Sequence, residues 1–257
     1  KWVRVEPGVI LDELNLILEP YGLFFGPETS TSNRCMIGGM VGNNSCGAHS
    51  LVYGSTRDHT ISVKALLCDG SEAEFKPLNE KELNEKASGT NLESELYRHI
   101  LGMLHDPVNQ QEIRKEYPDP VIKRRNTGYA IDLLLDCKPF TPTGPDFNFS
   151  RLLAGSEGTL AFFTEIKLNL VDLPPKEKAL VCMHCNTLDE AFKANLVALK
   201  HKPVAVELMD EVIIKQTENN IEQRKNRFFI QGNPAAILII EFACHSIEVL
   251  NARIREL

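Results

Sequence analysis

The sequence predicts an α+β chain in two parts, and three observations predict it. Strand-like and helix-like segments alternate along the chain. A stretch rich in Gly, Asn and Ser near the start and a second Gly-rich turn after residue 150 interrupt them. Pro174-Pro175, followed by a Lys/Glu cluster, then punctuates the sequence. Proline resists both helix and central strand, so the boundary falls there, giving parts 1–175 and 176–257. A chain of 257 residues can bury one large core or two modest ones.

In order, Trp2-Val3-Arg4-Val5 reads as a strand, and Pro7-Gly8 opens a helix with Ile10, Leu11, Leu14, Ile17 and Leu18 on one side, ended by Tyr21-Gly22. Residues 26–54 show little helical or strand periodicity and read as a binding loop. Residues 61–68 and 72–75 form a hairpin, because Asp69-Gly70 readily supplies the positive backbone angles of a tight turn. Residues 80–115 read as a helical, highly charged surface excursion. Residues 160–170 alternate, predicting a half-buried strand with Leu160, Phe162, Thr164, Ile166, Leu168 and Leu170 on one face. Beyond the boundary come strand 179–185, helix 188–200, strand 204–208, helix 210–219, strand 235–243 and helix 247–257, which together suggest a small ferredoxin-like layer.

The composition, 43% hydrophobic and 25% charged, excludes a disordered or collagen-like chain. A net charge of -7 argues against a nucleic-acid backbone as partner, since that binding needs a cationic surface. No apolar run is long enough for a transmembrane helix, and no secretory signal is visible at the start. Beginning at Lys1 inside a strand is expected of a piece of a larger protein, although a processed N-terminus would look the same. The seven cysteines are odd in number and scattered, which points to a reducing, cytoplasmic setting rather than a disulfide framework. Cys182 and Cys185 form a CxxC inside an apolar strand-like run, where alternation sends the two sulfurs to opposite faces. Packing is therefore favoured over metal binding, and no metal site is expected.

Residues 36–47, Met-Ile-Gly-Gly-Met-Val-Gly-Asn-Asn-Ser-Cys-Gly, hold four glycines and two asparagines. Glycine lets a backbone turn sharply and bring N–H groups against a phosphate or flat ring, and Asn amides match flavin edges or ribityl hydroxyls. A plain loop is the alternative. Neither GxGxxG nor GxxxxGK[ST] is present.

This segment, with Pro27-Glu28-Thr29-Ser30 before it and Tyr53-Gly54 after it, resembles the FAD-linked oxidase family, the PCMH-type flavoproteins related to vanillyl-alcohol oxidase. A second match follows more than 100 residues later, Gly155-Ser156-Glu157-Gly158-Thr159-Leu160 leading into Phe163-Thr164-Glu165. Between them Asn126-Thr127-Gly128-Tyr129 and Leu133 resemble the D-2-hydroxy-acid branch, which holds glycolate-oxidase flavoprotein subunits and D-lactate and D-2-hydroxyglutarate dehydrogenases. The resemblance implies a PCMH-type FAD-binding domain lacking its N-terminal part, followed by the start of a ferredoxin-like cap domain. It also implies FAD as cofactor, held by Pro27, Thr29, Gly38, Gly39, Asn43, Asn44, Ser45, Gly47, Gly54, Glu157 and Gly158, with the backbone near Ile166 beside the adenine. Gly38 and Gly39 would approach the pyrophosphate, and Asn43, Asn44, Ser45 and Gly47 would line the ribityl and isoalloxazine path; Glu157 is alternatively a loop cap. The family's upstream Gly-rich phosphate loop is missing here, and with it the segment that can carry a covalent histidine, so covalent attachment stays open.

The implied reaction is hydride transfer from C2 of a D-2-hydroxy acid to flavin N5. The electron acceptor is open, as is an iron–sulfur cluster elsewhere in the parent protein or peripheral association with an inner membrane through it. A histidine base is expected from its neutral-range pKa, yet His49 and His59, which flank the first loop, are more often structural. Lys123, Arg124 and Arg125 read as a solvated basic turn or a carboxylate attractor, and Arg57-Asp58 likewise as a carboxylate attractor or only a surface ion pair. Two further alternatives remain: an FAD-binding module without activity of its own, and an interaction domain that has lost flavin and uses 80–125 as its contact surface.

Overall fold

A computed structural model of the chain describes residues 1–122, 124–125 and 128–257. The chain divides into two compact units, 1–47 with 53–173, and 48–52 with 174–257. In chain order the elements are β1 (Trp2–Val5), α1 (Leu11–Leu18), β2 (Leu23–Phe24), α2 (Ile37–Asn43), α3 (Ser50–Tyr53), α4 (Thr56–His59), β3 (Thr60–Leu66), β4 (Glu72–Phe75), α5 (Glu80–Ser88), α6 (Leu92–His105), α7 (Pro107–Glu116), α8 (Asp132–Leu135), α9 (Ser150–Leu153), β5 (Phe162–Asn169) and β6 (Val171–Asp172). After the last unit boundary come β7 (Glu177–Cys185), α10 (Leu188–Ala198), β8 (Ala205–Asp210), α11 (Glu211–Gln216), α12 (Ile221–Arg224), β9 (Ala236–Cys244) and α13 (Ile247–Glu256).

The first unit is built on an antiparallel sheet ordered β1-β5-β3-β4. Val5, Ile166 and Val63 stand in register across three of its strands and are buried, Val5 and Ile166 in the core where α1 and α2 pack and Val63 in the cluster that holds Phe75 and Tyr97. The helix predicted from Pro7-Gly8 starts later, at Leu11, and buries Leu11, Leu14 and Leu18 while Ile17 lies 66% exposed. The hairpin turns at Gly70 with φ +82°, as Asp-Gly chemistry predicts.

Three expectations are corrected. Within the expected loop 26–54, the Gly-rich stretch Ile37–Asn43 is not irregular but forms helix α2. Its glycines lower helix propensity, yet packing overrides that: Gly38 sits so close to Pro7 that a Cβ there would lie 2.6 Å from the proline Cβ, and the amides of Ile37 and Gly38 donate to the carbonyls of Val9 and Pro7. The charged segment 80–115 is not a surface excursion, because α5 and α6 bury Leu83, Tyr97 and Leu104 in one cluster with Phe75, Phe147 and Phe149. Finally, the face of β5 switches within the strand. The register against β3 shifts between Lys64 and Ala65, so Phe162 is 71% exposed while Phe163 packs into the core; the expected alternation holds only from Ile166 onward.

The second unit has a three-stranded antiparallel sheet ordered β7-β9-β8, with β9 between two strands that run parallel to each other. With α10 and α13 packed on it, this is the order of the first three strands of a βαββαβ ferredoxin-like layer. Cys182 and Cys185 both lie on β7, three positions apart and thus on opposite faces. Cys185 packs with Ala191 and Ala236, and burial pushes both thiols up, away from thiolate chemistry. No helix among the described residues is long and apolar enough to cross a membrane.

Candidate functional site

Helix α2 and the turn after α9, separated by more than 100 residues, meet in a single seam. Asn44 closes α2 in the left-handed conformation, φ 55°, its amide bonded to the carbonyls of Met40 and Val41. The amide of Gly155 then donates to the Val41 carbonyl at 2.9 Å, and that of Glu157 to the Gly42 carbonyl at 2.8 Å. Gly155, Glu157 and Gly158 all have positive φ, 95°, 50° and 77°. The chain therefore turns sharply over the end of α2, leaving Glu157 and Gly158 exposed beside exposed Asn43.

Beneath this rim lies Arg57, which is only 4% exposed. Its main-chain N–H donates to Asn44 Oδ1 at 2.8 Å. Its Nε donates to the carbonyls of Arg151 at 2.9 Å and Ala154 at 3.1 Å, and its Nη2 to those of Ala154 at 2.5 Å and Gly128 at 2.7 Å. Burial, with nearby Arg125, lowers the guanidinium to about 10, while Asp58 and Asp132 pull it back up; it remains a cation at neutral pH. The expected Arg57–Asp58 surface pair is thus not formed: Asp58 instead accepts from the amide and hydroxyl of Ser55, capping α4.

Arg125 is also not a solvated basic turn. It forms an ion pair with Asp132, both side chains mostly buried, and its guanidinium lies 5.7 Å from the Tyr117 ring centre. A cavity of about 180 Å³ nearby is lined by Ser55, Arg57, Asp58, Arg125, Asp132 and Asp136, whose three carboxylates outnumber its two cations; free carboxylate attraction is not its character. Arg124 is exposed. Lys123, Asn126 and Thr127 lie outside the described residues. Of that motif, Gly128 accepts from Arg57, and Tyr129 Oη is 2.5 Å from Thr159 Oγ1.

The remaining predicted residues separate into rim and scaffold. Gly39 is exposed with open space where a Cβ would stand, and Ser45 Oγ donates to Asn43 Oδ1 at 2.5 Å. Gly38 and Asn44 serve as scaffold, the first by the Pro7 contact and the second by its buried amide. Gly47 presses on the Glu28 carbonyl, a contact that excludes a side chain. Pro27 is buried; Thr29 Oγ1 lies 3.3 Å from both Thr31 Oγ1 and Cys35 Sγ; Gly54 turns at φ +67° into the α4 cap. Ile166 is not brought to the rim. It is fully buried mid-sheet, with backbone neighbours on both sides.

The histidines divide likewise. His59 Nε2 is 2.6 Å from the Tyr53 carbonyl and Nδ1 is 3.3 Å from Asn169 Nδ2, so both ring nitrogens are engaged in holding the fold. His49 Nε2 pairs with Glu241 Oε2 at 3.0 Å within the second unit.

Residues 1–76 match the family model described as FAD binding domain. Over nearly its whole length the chain is similar to members of the FAD-linked oxidase family. The D-2-hydroxyglutarate dehydrogenase of Escherichia coli (strain K12) is 34% identical over 264 residues, covering 100% of this chain and 25% of that protein. Glycolate oxidase subunit GlcD of Bacillus subtilis (strain 168) is 25% identical over 92% of this chain and 37% of its own length. Among solved structures, alkyldihydroxyacetonephosphate synthase matches 99% of this chain and 37% of its own with a TM-score of 0.55 at 14% identity, a likeness of fold. The chain spans about a quarter of the length of the D-2-hydroxyglutarate dehydrogenases it matches.

Proposed function

We propose that the chain forms the flavin-holding part and the opening of the substrate-binding part of an FAD-dependent dehydrogenase that oxidises a D-2-hydroxy acid, D-2-hydroxyglutarate foremost, to the 2-oxo acid. The parts correspond to residues 1–175 and 176–257. The observation that carries the reading is the seam: two motifs distant in sequence are hydrogen-bonded into one polar rim. The rim suits FAD in three respects. Ser156 Oγ is buried at the turn with no hydrogen-bond partner among the described residues, a donor for a group that approaches there. Gly39 leaves its surface open, and the Asn43 amide can both donate and accept.

When bound, FAD supplies the acceptor for the hydride lost from substrate C2. The chain's residues bind and orient it: Gly39, Asn43, Ser45, Glu157 and Gly158 at the rim, with Gly38, Asn44, Gly47 and the Gly54 turn fixing that rim from below. Pro27 and Thr29 stiffen the segment against which Gly47 rests. The proton on the substrate hydroxyl goes to a base other than His59, whose two nitrogens are occupied. A cytoplasmic location agrees with the odd number and scattered placement of the cysteines. The preference for D-2-hydroxyglutarate rests on the identity gradient, 30 to 34% for those dehydrogenases against 24 to 25% for the glycolate oxidase subunits.

The test is steady-state turnover of the flavoprotein that contains this chain, with an artificial electron acceptor. We expect kcat/KM for D-2-hydroxyglutarate to exceed that for D-lactate and glycolate by roughly tenfold or more, because recognition of a second carboxylate adds a charge-assisted contact. Equal or reversed preference would remove D-2-hydroxyglutarate from the proposal.

A further inference from the structure

The geometry assigns Arg57 a role in cofactor retention: we propose that it is a positioning residue whose guanidinium fixes the spacing between the end of α2 and the 154–158 turn, and that FAD is held at full affinity only while it does so. The inference rests on the FAD reading above and deepens it.

A closed ring of hydrogen bonds carries it. From the Arg57 main chain the ring passes to Asn44 Oδ1, through the Asn44 main-chain N–H to the Val41 carbonyl and on to that of Gly42 next in the chain, across to the amides of Gly155 and Glu157, and back by the Ala154 carbonyl to the Arg57 guanidinium. A branch to the Gly128 carbonyl ties in a third segment. The exposed groups at the end of α2 and on the turn are attached directly to members of this ring, while Gly39 lies further back along α2. Asn43 precedes Asn44 in sequence, and Glu157 belongs to the ring itself.

The guanidinium is suited to this by shape as well as charge. Its planar fork reaches the Arg151 and Ala154 carbonyls through Nε and the Ala154 and Gly128 carbonyls through Nη2, four contacts in one plane-forming group. A lysine ammonium is a point donor on a flexible stem and cannot span the same acceptors. The fit is close enough that Gly155 has no space for a Cβ, which would collide with Arg57 Nη2 and come within 2.7 Å of the Gly128 carbonyl. With Arg57 removed, the buried Ala154 carbonyl and the part-buried Arg151 and Gly128 carbonyls lose this donor and the turn is free to leave the end of α2, so rim groups stay present but lose their mutual spacing.

A merely structural arginine would lower stability and leave the affinity of the folded protein unchanged, so the two must be measured separately. Arg57→Ala, Arg57→Lys and, as a control in the distant aromatic core, Leu104→Val are to be made in the flavoprotein that contains this chain. FAD dissociation constants are read well below each melting temperature from flavin fluorescence, and the visible circular dichroism of bound flavin reports its setting. We expect Arg57→Ala to weaken FAD by roughly a hundredfold and Arg57→Lys by about tenfold with altered visible dichroism, while Leu104→Val lowers the melting temperature but keeps affinity within about threefold. Should Arg57→Ala not fold, Arg57→Lys decides alone. Wild-type affinity and dichroism in folded Arg57 variants would overturn the inference with the FAD reading intact. A wild-type protein that takes up no FAD would instead sink the reading on which the inference stands.

Discussion

Replacing Gly155 by alanine is expected to destabilise the first unit by about 3 to 5 kcal/mol, combining the cost of a side chain at strongly positive φ with that of a steric collision. Gly155 has φ +95°, and a Cβ there would strike Arg57 Nη2 and crowd the Gly128 carbonyl, which are themselves hydrogen-bonded to each other. Neither partner can yield cheaply, because the guanidinium is held by the Ala154 and Arg151 carbonyls as well. Denaturant unfolding checks this: the midpoint should fall with the slope unchanged, since the loss lies in the native state. A neutral result would mean that the turn can move away from Arg57 without cost, and the seam would not be the rigid feature described above.

The second large effect is expected at Tyr97, the hub of the other cluster. Its ring packs edge-on against Phe149 at 4.6 Å and near Phe75 and Phe147, and it is fully buried. Tyr97→Ala should cost about 3 to 5 kcal/mol, as deletion of a buried aromatic does. Tyr97→Phe should do the reverse, gaining on the order of 1 kcal/mol, because the buried Oη has no hydrogen-bond partner among the described residues. The pH dependence has a definite sign. Burial, with Glu93 adding, raises the phenol above its ordinary value of 10.0. The neutral form is therefore favoured in the folded state, so this contribution is intact below about pH 10 and is lost as pH rises above it. Tyr97→Phe should flatten that alkaline loss; an unchanged alkaline limb together with lower stability would show that Oη has a partner after all.

What the sequence disclosed, and what it hid, follow from how local each signal is. The Asp69-Gly70 hairpin was legible because the turn residues themselves dictate the backbone. The strand order of the second unit was legible as a class because strands and helices alternate with clear apolar patterning. Helix α2 was not, since Gly38-Gly39 lowers helix propensity and only the carbonyls of Pro7 and Val9, far from any local pattern, supply the first-turn acceptors. The switch of faces between Phe162 and Phe163 depends on an irregular register with β3, and no periodicity in β5 alone announces it.

For the candidate site, the motif residues stand out by composition and resemblance, whereas the hydrogen bonds of Arg57, read in the sequence only as part of a pair with Asp58, do not. Arg57 bonds to main-chain carbonyls, which every residue possesses, so its partners leave no trace in residue identity. The only sequence hint was its position between Thr56 and His59, polar residues that prove to be buried immediately before a strand. Tyr97 was hidden similarly, a single aromatic inside a segment whose charge suggested exposure.

The measurement that tests the central claim most directly is a titration of FAD into the flavin-free form of the protein that contains this chain, followed by visible absorbance and then by anaerobic addition of D-2-hydroxyglutarate. The seam of α2 and the 154–158 turn predicts stoichiometric uptake, with the flavin bands shifted from those of free FAD and bleached by the acid. Bands that remain those of free FAD, with no uptake at any concentration, would contradict the assignment of this rim to the cofactor.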